Sequence, residues 1–352
     1  DDVESRGLGD VYKRQEQNGL EPALMAPTGR AAKRLAISSG RDADTIHKAL
    51  EASVRETGRT YFERNEANPL EEDLIIVDEA SMLDISLFYH LLCALKDGAR
   101  LILVGDIDQL PPVGAGEPLK DLMSWGYVPI VRLKRIFRQE EGSGIVENAA
   151  LIRKGEMCVP DEAGEFRIIY AADDEDAYQI VMDLCRELNY GNEENKMLLQ
   201  VLSPMYRGVC GVDHLNESLQ EMIHGEKVPG GMKFFPGDKV MQTRNDYEKG
   251  IYNGDVGTVW TATPQKVFVR YFDKEVVYEG EERFDLRLAY AVTVHKSQGS
   301  EYETVIFILR PSQHNMLQRN LLYTGVTRAR KNTILVTAPD ALRRALAIQH
   351  TG

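Results

Sequence analysis

No stretch of this chain approaches the roughly 18 consecutive apolar residues that a membrane-spanning helix needs, which argues against a membrane partner. The first residues are polar and lack the cationic start and apolar core of a secretory leader. Cysteine is scarce: Cys93, Cys158, Cys185 and Cys210 are far apart and form no CxxC pair, so neither a zinc site nor a disulfide framework is expected. Reduced thiols in a cytoplasmic protein are the simpler reading. There is no internal repeat and no low-complexity tract. Positive charge is also short, with a net charge of −13. That argues only weakly against nucleic acid, because a narrow basic groove can coexist with an acidic exterior.

What is present is ordinary globular sequence of 352 residues, too long for one core and suited to two or three compact units. Residues 1–15 carry no amphipathic period and no initiator Met, and are expected to be a disordered or non-native lead. From about Leu20 short apolar runs alternate with helical stretches. Ala23–Ala26 is a strand, Thr28 caps the helix that follows, and Leu74–Val77 is a strand buried on both faces. Ile85–Leu95 is a helix and Leu101–Val104 another buried strand. The same alternation returns in Ile168–Tyr170, Ala177–Leu188, Leu198–Leu202, Val212–Ile223, Val305–Leu309 and Ile334–Val336. Alternation of this kind predicts parallel sheets covered by helices, hence α/β architecture.

Between these lies a different texture. Pro236-Gly237-Asp238, Asn253-Gly254-Asp255 and Gly257 are turn signals beside Lys239–Gln242, Val256–Trp260 and Val267–Tyr271, which predicts a small antiparallel barrel. A small hairpin is expected around Thr60–Phe62. The expected organisation is a first α/β domain over 16–130 with a hairpin insertion near 50–72. A second α/β domain covers 131–232 and 286–345, with the barrel inserted at 233–285 and a tail at 346–352.

Two clusters carry chemistry. In Leu74-Ile75-Ile76-Val77-Asp78-Glu79-Ala80-Ser81 an apolar strand ends in adjacent carboxylates, at the sheet edge where such folds bind ligands. One carboxylate can hold Mg²⁺ through water while the other orients or deprotonates an attacking water. The plain alternative is a solvated helix start. In Leu101-Ile102-Leu103-Val104-Gly105-Asp106-Ile107-Asp108-Gln109-Leu110-Pro111-Pro112 a second strand empties into a polar loop whose Gln109 amide can reach a phosphate or that water. Its alternative is a rigid loop stiffened by the two prolines.

Together with four further motifs, these clusters make the chain resemble the RecD-like superfamily-1 DNA helicases, the family of the exodeoxyribonuclease V alpha subunit. Ala26 through Leu35 resembles motif Ia, Asp78-Glu79-Ala80-Ser81 motif II, and Gly105-Asp106 through Pro112 motif III. Leu133 through Gln139 resembles motif IV, Thr293 through Glu301 motif V, and Tyr323 through Arg330 motif VI. The resemblance implies two RecA-like P-loop NTPase domains, the first incomplete, with an SH3-like barrel in the second. It implies ATP and Mg²⁺ as cofactors, bound between the domains. Asp78 would be the Mg²⁺ ligand, Glu79 the catalytic base and Gln109 the γ-phosphate sensor. Arg138 and Arg328 would be arginine fingers, and Gly299, Glu301 and Tyr323 would lie near the nucleotide. DNA contacts would come from Pro27, Thr28, Gly29 and Arg30 at a helix start, His47, and Thr293, His295, Lys296 and Ser297. In the barrel, Gln242, Arg244, Asn245 and Tyr247 would form a strip along single-stranded DNA.

The chain departs from the family in one respect: it contains no Gly-Lys dipeptide, so the Gly-x-x-x-x-Gly-Lys-[Ser/Thr] phosphate loop is missing. The expectation is a chain cut before or within that loop, with a first domain short of a central strand and its helix, and little ATPase of its own. The intact protein is expected to be an ATP-dependent helicase or translocase on single-stranded DNA and duplex junctions, acting in repair or recombination. Its 5′ to 3′ polarity follows only from the resemblance, as does the possibility of partner subunits in a helicase–nuclease complex. The competing reading is a non-catalytic scaffold that has lost its phosphate loop. A carboxylate-metal nuclease is disfavoured by the lack of a second acidic cluster.

Overall fold

A computed structural model describes residues 22–54, 60–133, 143–228, 232–246, 248–272 and 274–349. Arg138, Tyr247 and the lead segment 1–15 lie outside the described residues. The chain divides into two compact units, one up to Glu140 and one from Glu141 to Thr351.

The first unit holds β1 (Pro22–Ala26), β2 (Asp44–Thr45), β3 (Ala52–Val54), β4 (Thr60–Phe62), β5 (Leu74–Val77) and β6 (Arg100–Leu103). Four of these form a parallel sheet in the order β2-β1-β5-β6. All of β5 is buried because it lies inside that order and is covered on both faces. Ile75 and Val77 pack with Phe88 and Leu91 of the helix Ile85–Cys93. Leu74 and Ile76 pack with Leu24 and Leu35 on the opposite side. An unbroken apolar run is therefore what this position requires.

β6 was expected to be equally buried and is not. Arg100 is exposed and Leu101–Leu103 are half-buried, because β6 ends the sheet and is paired on one side only among the described residues.

The helix Gly29–Ser39 starts where Thr28 Oγ1 accepts from the Ala31 N–H at 3.2 Å, and ends at Gly40, whose φ is 69°. Such a cap contributes about 1 kcal/mol, and the left-handed stop favours glycine. β3 and β4 pair antiparallel, Ala52 opposite Phe62. Phe62 fixes this hairpin to the core, its ring 4.5 Å from that of His90 and 5.9 Å from that of His47.

The second unit begins with β7 (Phe166–Tyr170) and β8 (Leu199–Ser203). The chain then runs through β9 (Lys239–Gln242), β10 (Val256–Ala262), β11 (Lys266–Arg270), β12 (Glu275–Glu279) and β13 (Leu286–Leu288). It returns through β14 (Ala291–Thr293), β15 (Tyr302–Leu309) and β16 (Ala329–Thr337). One sheet is wholly parallel in the order β14-β8-β15-β16-β7. Its core joins Val201, Ile306, Ile308, Ile334 and Val336 to Val181, Leu215 and Leu219 of the covering helices. The other is antiparallel, β12-β11-β10-β9-β13. Its core includes Phe234, Val240, Val259, Val267, Val269 and Tyr278. In β11 and β12 buried and exposed residues alternate, the mark of a sheet with one face packed.

The two sheets of this unit meet at a buried polar junction. Asp238, fully buried, accepts from Gln220 Nε2, the Phe235 N–H and the Tyr290 hydroxyl, with His224 Nε2 at 2.9 Å. Next to it the buried Lys239 ammonium donates to Leu199 O and Gln200 Oε1, each at 3.0 Å. Lys196 donates to Gly237 O at 2.6 Å. Burying these charges is tolerable only because each is met by partners of opposite or complementary character.

Candidate functional site

In the first unit the ends of β5 and β6 fold together. Asp78 N donates to Met25 O, and Ala80 N donates to Val104 O at 2.7 Å, so the loop after β5 is stitched to the strands beside it. Glu79 takes a left-handed backbone, φ 51°, and its N–H donates to Asp78 Oδ1 at 2.9 Å. A non-glycine residue held there stores of order 1–3 kcal/mol, and such strain gathers at functional sites. Gly105 lies directly against this loop: a Cβ added to it would fall 3.1 Å from Ala80 N. After Gly105, Asp106 Oδ1 accepts from the Asp108 N–H at 3.0 Å, a local turn that leads to the buried Gln109.

Ser81 and Gln109 line one small cavity with Leu110, Glu117 and Lys120. The Ser81 hydroxyl is buried and has no hydrogen-bond partner among the described residues. Sequence reasoning placed Asp78, Glu79 and Gln109 in the site but gave Ser81 no role. Its signal, a hydroxyl three residues beyond the first carboxylate, was in plain view. A carboxylate, an unsatisfied hydroxyl and an amide at the end of a parallel sheet are oxygen donors of the kind that suit Mg²⁺ and a phosphate.

At the start of the helix Gly29–Ser39, Pro27, Thr28 and Arg30 are half-exposed and Gly29 is buried. Thr28 spends its oxygen on the cap. Arg30 Nη1 is buried without a hydrogen-bond partner among the described residues. His47 is half-buried and its pKa is lowered by burial, against an opposing pull from Asp84.

In the second unit the segment after β14 forms a tight turn, His295–Ser297. Two of the expected DNA contacts lie in or beside it. Thr293 and Ser297 are buried, and their hydroxyls hold the turn together: Thr293 Oγ1 accepts from the Lys296 N–H, and Ser297 Oγ donates to Val294 O at 2.7 Å. His295 and Lys296 are half-buried and remain near the surface. Burial lowers the pKa of both, and Arg287 lowers Lys296 further. Lys296 Nζ donates to Asn253 Oδ1 at 2.6 Å, and the Asn253 N–H donates to Asn245 Oδ1 at 2.9 Å, so the turn is tied to the exposed Asn245. Gln242, another expected contact, is 1% exposed, at the end of a strand whose four residues are all buried. Arg244, by contrast, is exposed and lies 3.5 Å from Asp285.

Gly299 is buried with φ 71°, Glu301 is half-buried, and Tyr323 is buried in the helix Arg319–Val326. Arg328, the expected arginine finger, is also buried. Its Nε donates to Thr324 O at 3.1 Å and its Nη1 to Ser300 O at 3.2 Å. Arginine on the surface would keep these donors in water; here the carbonyls of its own unit take them.

Comparison with known proteins adds to this geometry. An AAA domain family matches residues 6–115, an ATP-dependent RecD-like DNA helicase SH3 domain matches 215–271, and a UvrD-like helicase C-terminal domain matches 288–336. The architecture is thus two P-loop-like α/β domains with an inserted SH3-like β element. The ATP-dependent RecD2 DNA helicase of Deinococcus radiodurans is 39% identical over 95% of this chain and 45% of its own length. The RecBCD enzyme subunit RecD of Mycolicibacterium smegmatis is 32% identical over 94% of this chain and 65% of its own. The chain therefore spans about half to two thirds of the length of these curated relatives. Among solved structures, Bacteroides Pif1 bound to ssDNA shares the fold with a TM-score of 0.56 at 19% identity, covering 94% of this chain and 85% of that one. Pif1 helicase from Candida albicans does so with a TM-score of 0.57 at 18% identity, covering 98% and 90%.

Proposed function

Because this chain is a homologue of the RecD-like superfamily-1 helicases over nearly its whole length, we propose that it forms the greater part of an ATP-driven motor that moves on single-stranded DNA and opens duplex junctions. The observation that carries this reading is the packing of Gly105 against the Asp78-Glu79-Ala80-Ser81 loop, with Ser81 and Gln109 sharing a cavity. Two loops from neighbouring strands are thereby locked into one constellation of oxygen and amide groups.

Each residue has a task. Asp78, with the unsatisfied Ser81 hydroxyl beside it, would hold Mg²⁺ through water. Glu79 accepts a proton from the attacking water, and its strained backbone fixes where the carboxylate points. Gln109 orients that water against the terminal phosphate. ATP with Mg²⁺ supplies the phosphoryl bond whose hydrolysis drives movement. Arg328, and Arg138 beyond the described residues, would neutralise charge on the phosphates, Arg328 by giving up its carbonyl partners. Glu301 and Tyr323 lie toward the nucleotide in this reading. Arg30, His47, His295, Lys296 and Asn245 contact DNA. Polarity of 5′ to 3′, action in repair or recombination, and partner subunits in a helicase–nuclease complex extend the same proposal. So does a cytoplasmic location. Among the described residues no helix is long and apolar enough to cross a membrane.

Without a Gly-Lys dipeptide the chain by itself is expected to hydrolyse ATP little or not at all. The decisive experiment is an ATPase assay on a version extended upstream through a phosphate loop, with and without single-stranded DNA. Stimulated turnover abolished by Glu79→Gln supports the motor. Turnover insensitive to DNA and to Glu79→Gln removes it.

A further inference from the structure

Among the described residues, four cations on the inserted barrel pair with carboxylates, while Lys274 and Arg283 donate to backbone carbonyls. Arg244 faces Asp285, Lys249 lies 2.6 Å from Glu282, Lys266 2.6 Å from Glu279, and Arg270 2.8 Å from Glu275. Lys233, Arg287 and Lys296 differ. Among the described residues none of them forms a salt bridge, in a chain whose net charge is −13. Lys233 Nζ donates to a backbone carbonyl, Leu286 O, at 2.8 Å, and Lys296 Nζ to the neutral Asn253 amide. The exposed Arg287 guanidinium lies 6.0 Å from the centre of the Tyr206 ring.

These cations also sense one another. Burial, and then Arg287, pulls down the pKa of both Lys233 and Lys296. They come from separate elements: the segment before β9, strand β13, and the turn after β14, with Tyr206 from the loop after β8. Like charges gathered without a counter-charge disfavour the empty protein, and an anion relieves them. The chemistry that fits is a phosphate anion. The 42% exposed Tyr206 ring beside the cations selects, among phosphates, one that carries planar bases.

We propose that Arg287, Tyr206 and Lys233, with Lys296, form a subsite on the second unit that holds a phosphodiester and its neighbouring base of single-stranded DNA. The proposal rests on the single-stranded-DNA reading above and adds to it three residues that no motif supplied: Tyr206, Lys233 and Arg287. The cations hold the backbone, and Tyr206 offers its ring to a base while Arg287 braces it.

The test is anisotropy of a fluorescein-labelled oligo-dT titrated with the full chain over a series of NaCl concentrations. Arg287→Gln is expected to weaken binding about tenfold and to reduce the slope of log affinity against log salt by about 0.7, the loss of one phosphate contact on a single strand. Arg287→Lys keeps the slope. Tyr206→Ala weakens binding at least about fivefold with the slope unchanged, and Tyr206→Phe restores it. Thermal melts matching the parent establish that the variants fold. Parent-like affinity and slope in both Arg287→Gln and Tyr206→Ala overturn the subsite while leaving the DNA reading intact. No binding by the parent chain overturns both. Inorganic phosphate, added at ionic strength held constant with NaCl, is expected not to displace the oligonucleotide. Full displacement by it makes this a small-anion site and overturns the proposal.

Discussion

Gly105 sits so close to Ser81 that a methyl group on its Cα would come within 2.8 Å of the Ser81 backbone nitrogen, and within 2.9 Å of Leu119 Cδ2. The backbone atom cannot swing aside as a side chain can. Gly105→Ala is therefore expected to lower stability by about 1–3 kcal/mol through overpacking. Urea unfolding of the full chain measures it. An unchanged midpoint means the two loops are not packed as described.

Glu79 and glycine are in competition at one position. With φ at 51°, the backbone suits glycine, and the carboxylate is retained against that preference. Glu79→Gly is expected to leave stability unchanged or raise it by about 1 kcal/mol, while removing DNA-stimulated hydrolysis from the upstream-extended protein. A loss of more than about 1 kcal/mol on denaturant titration contradicts the assigned strain.

The sequence made some of this plain and hid the rest for identifiable reasons. Leu74–Val77 was legible because a central strand covered on two faces admits only apolar residues. Leu101–Leu103 looks the same in composition, yet its position at the end of the sheet depends on which strands pair, which no local run encodes. Thr28 announced its cap through its place before a helical period. Gln242, Thr293 and Ser297 read as surface groups because they are polar, yet all three are buried. Thr293 and Ser297 turn back onto neighbouring backbone, a local contact that composition does not reveal. Arg287 and Lys233 belong to no motif; their meaning appears only once distant segments are brought side by side.

Asp238 gathers donors from Gln220, Phe235 and Tyr290, with His224 beside it. Asp238→Ala strands these donors in a dry environment, at about 3–5 kcal/mol. Asp238→Asn keeps the shape and some of the acceptors, and is expected to fall between. In a Trp125→Phe background the fluorescence of Trp260 on β10 reports the barrel alone, since the chain has 2 tryptophans. Barrel unfolding that precedes the rest of the second unit in Asp238→Ala is the expected result. Parent-like unfolding in that variant argues that the junction is not what fixes the barrel.

Burial lowers the pKa of His47 and of His295 below 6.5. A folded state that resists protonation binds fewer protons than the unfolded chain. Its advantage is complete above about pH 6.5, declines as pH falls below that value, and levels off once the folded-state histidines also take up protons. Urea midpoints measured from pH 8 to pH 5 are expected to drop through this window, and His295→Gln to shallow the drop for the second unit. A flat profile, or one that rises toward acid, refutes the assignment.

Lys233 reaches from the chain entering the barrel to the carbonyl of Leu286 on the strand by which it leaves, and β13 pairs directly with β9, Leu286 opposite Gln242. Entrance and exit are neighbours. A closed loop of chain with adjoining ends is a cassette: it can be lengthened, exchanged or trimmed without rethreading the parallel sheet that carries it. Grip on a substrate can therefore diversify in the insert while the engine beneath it stays the same.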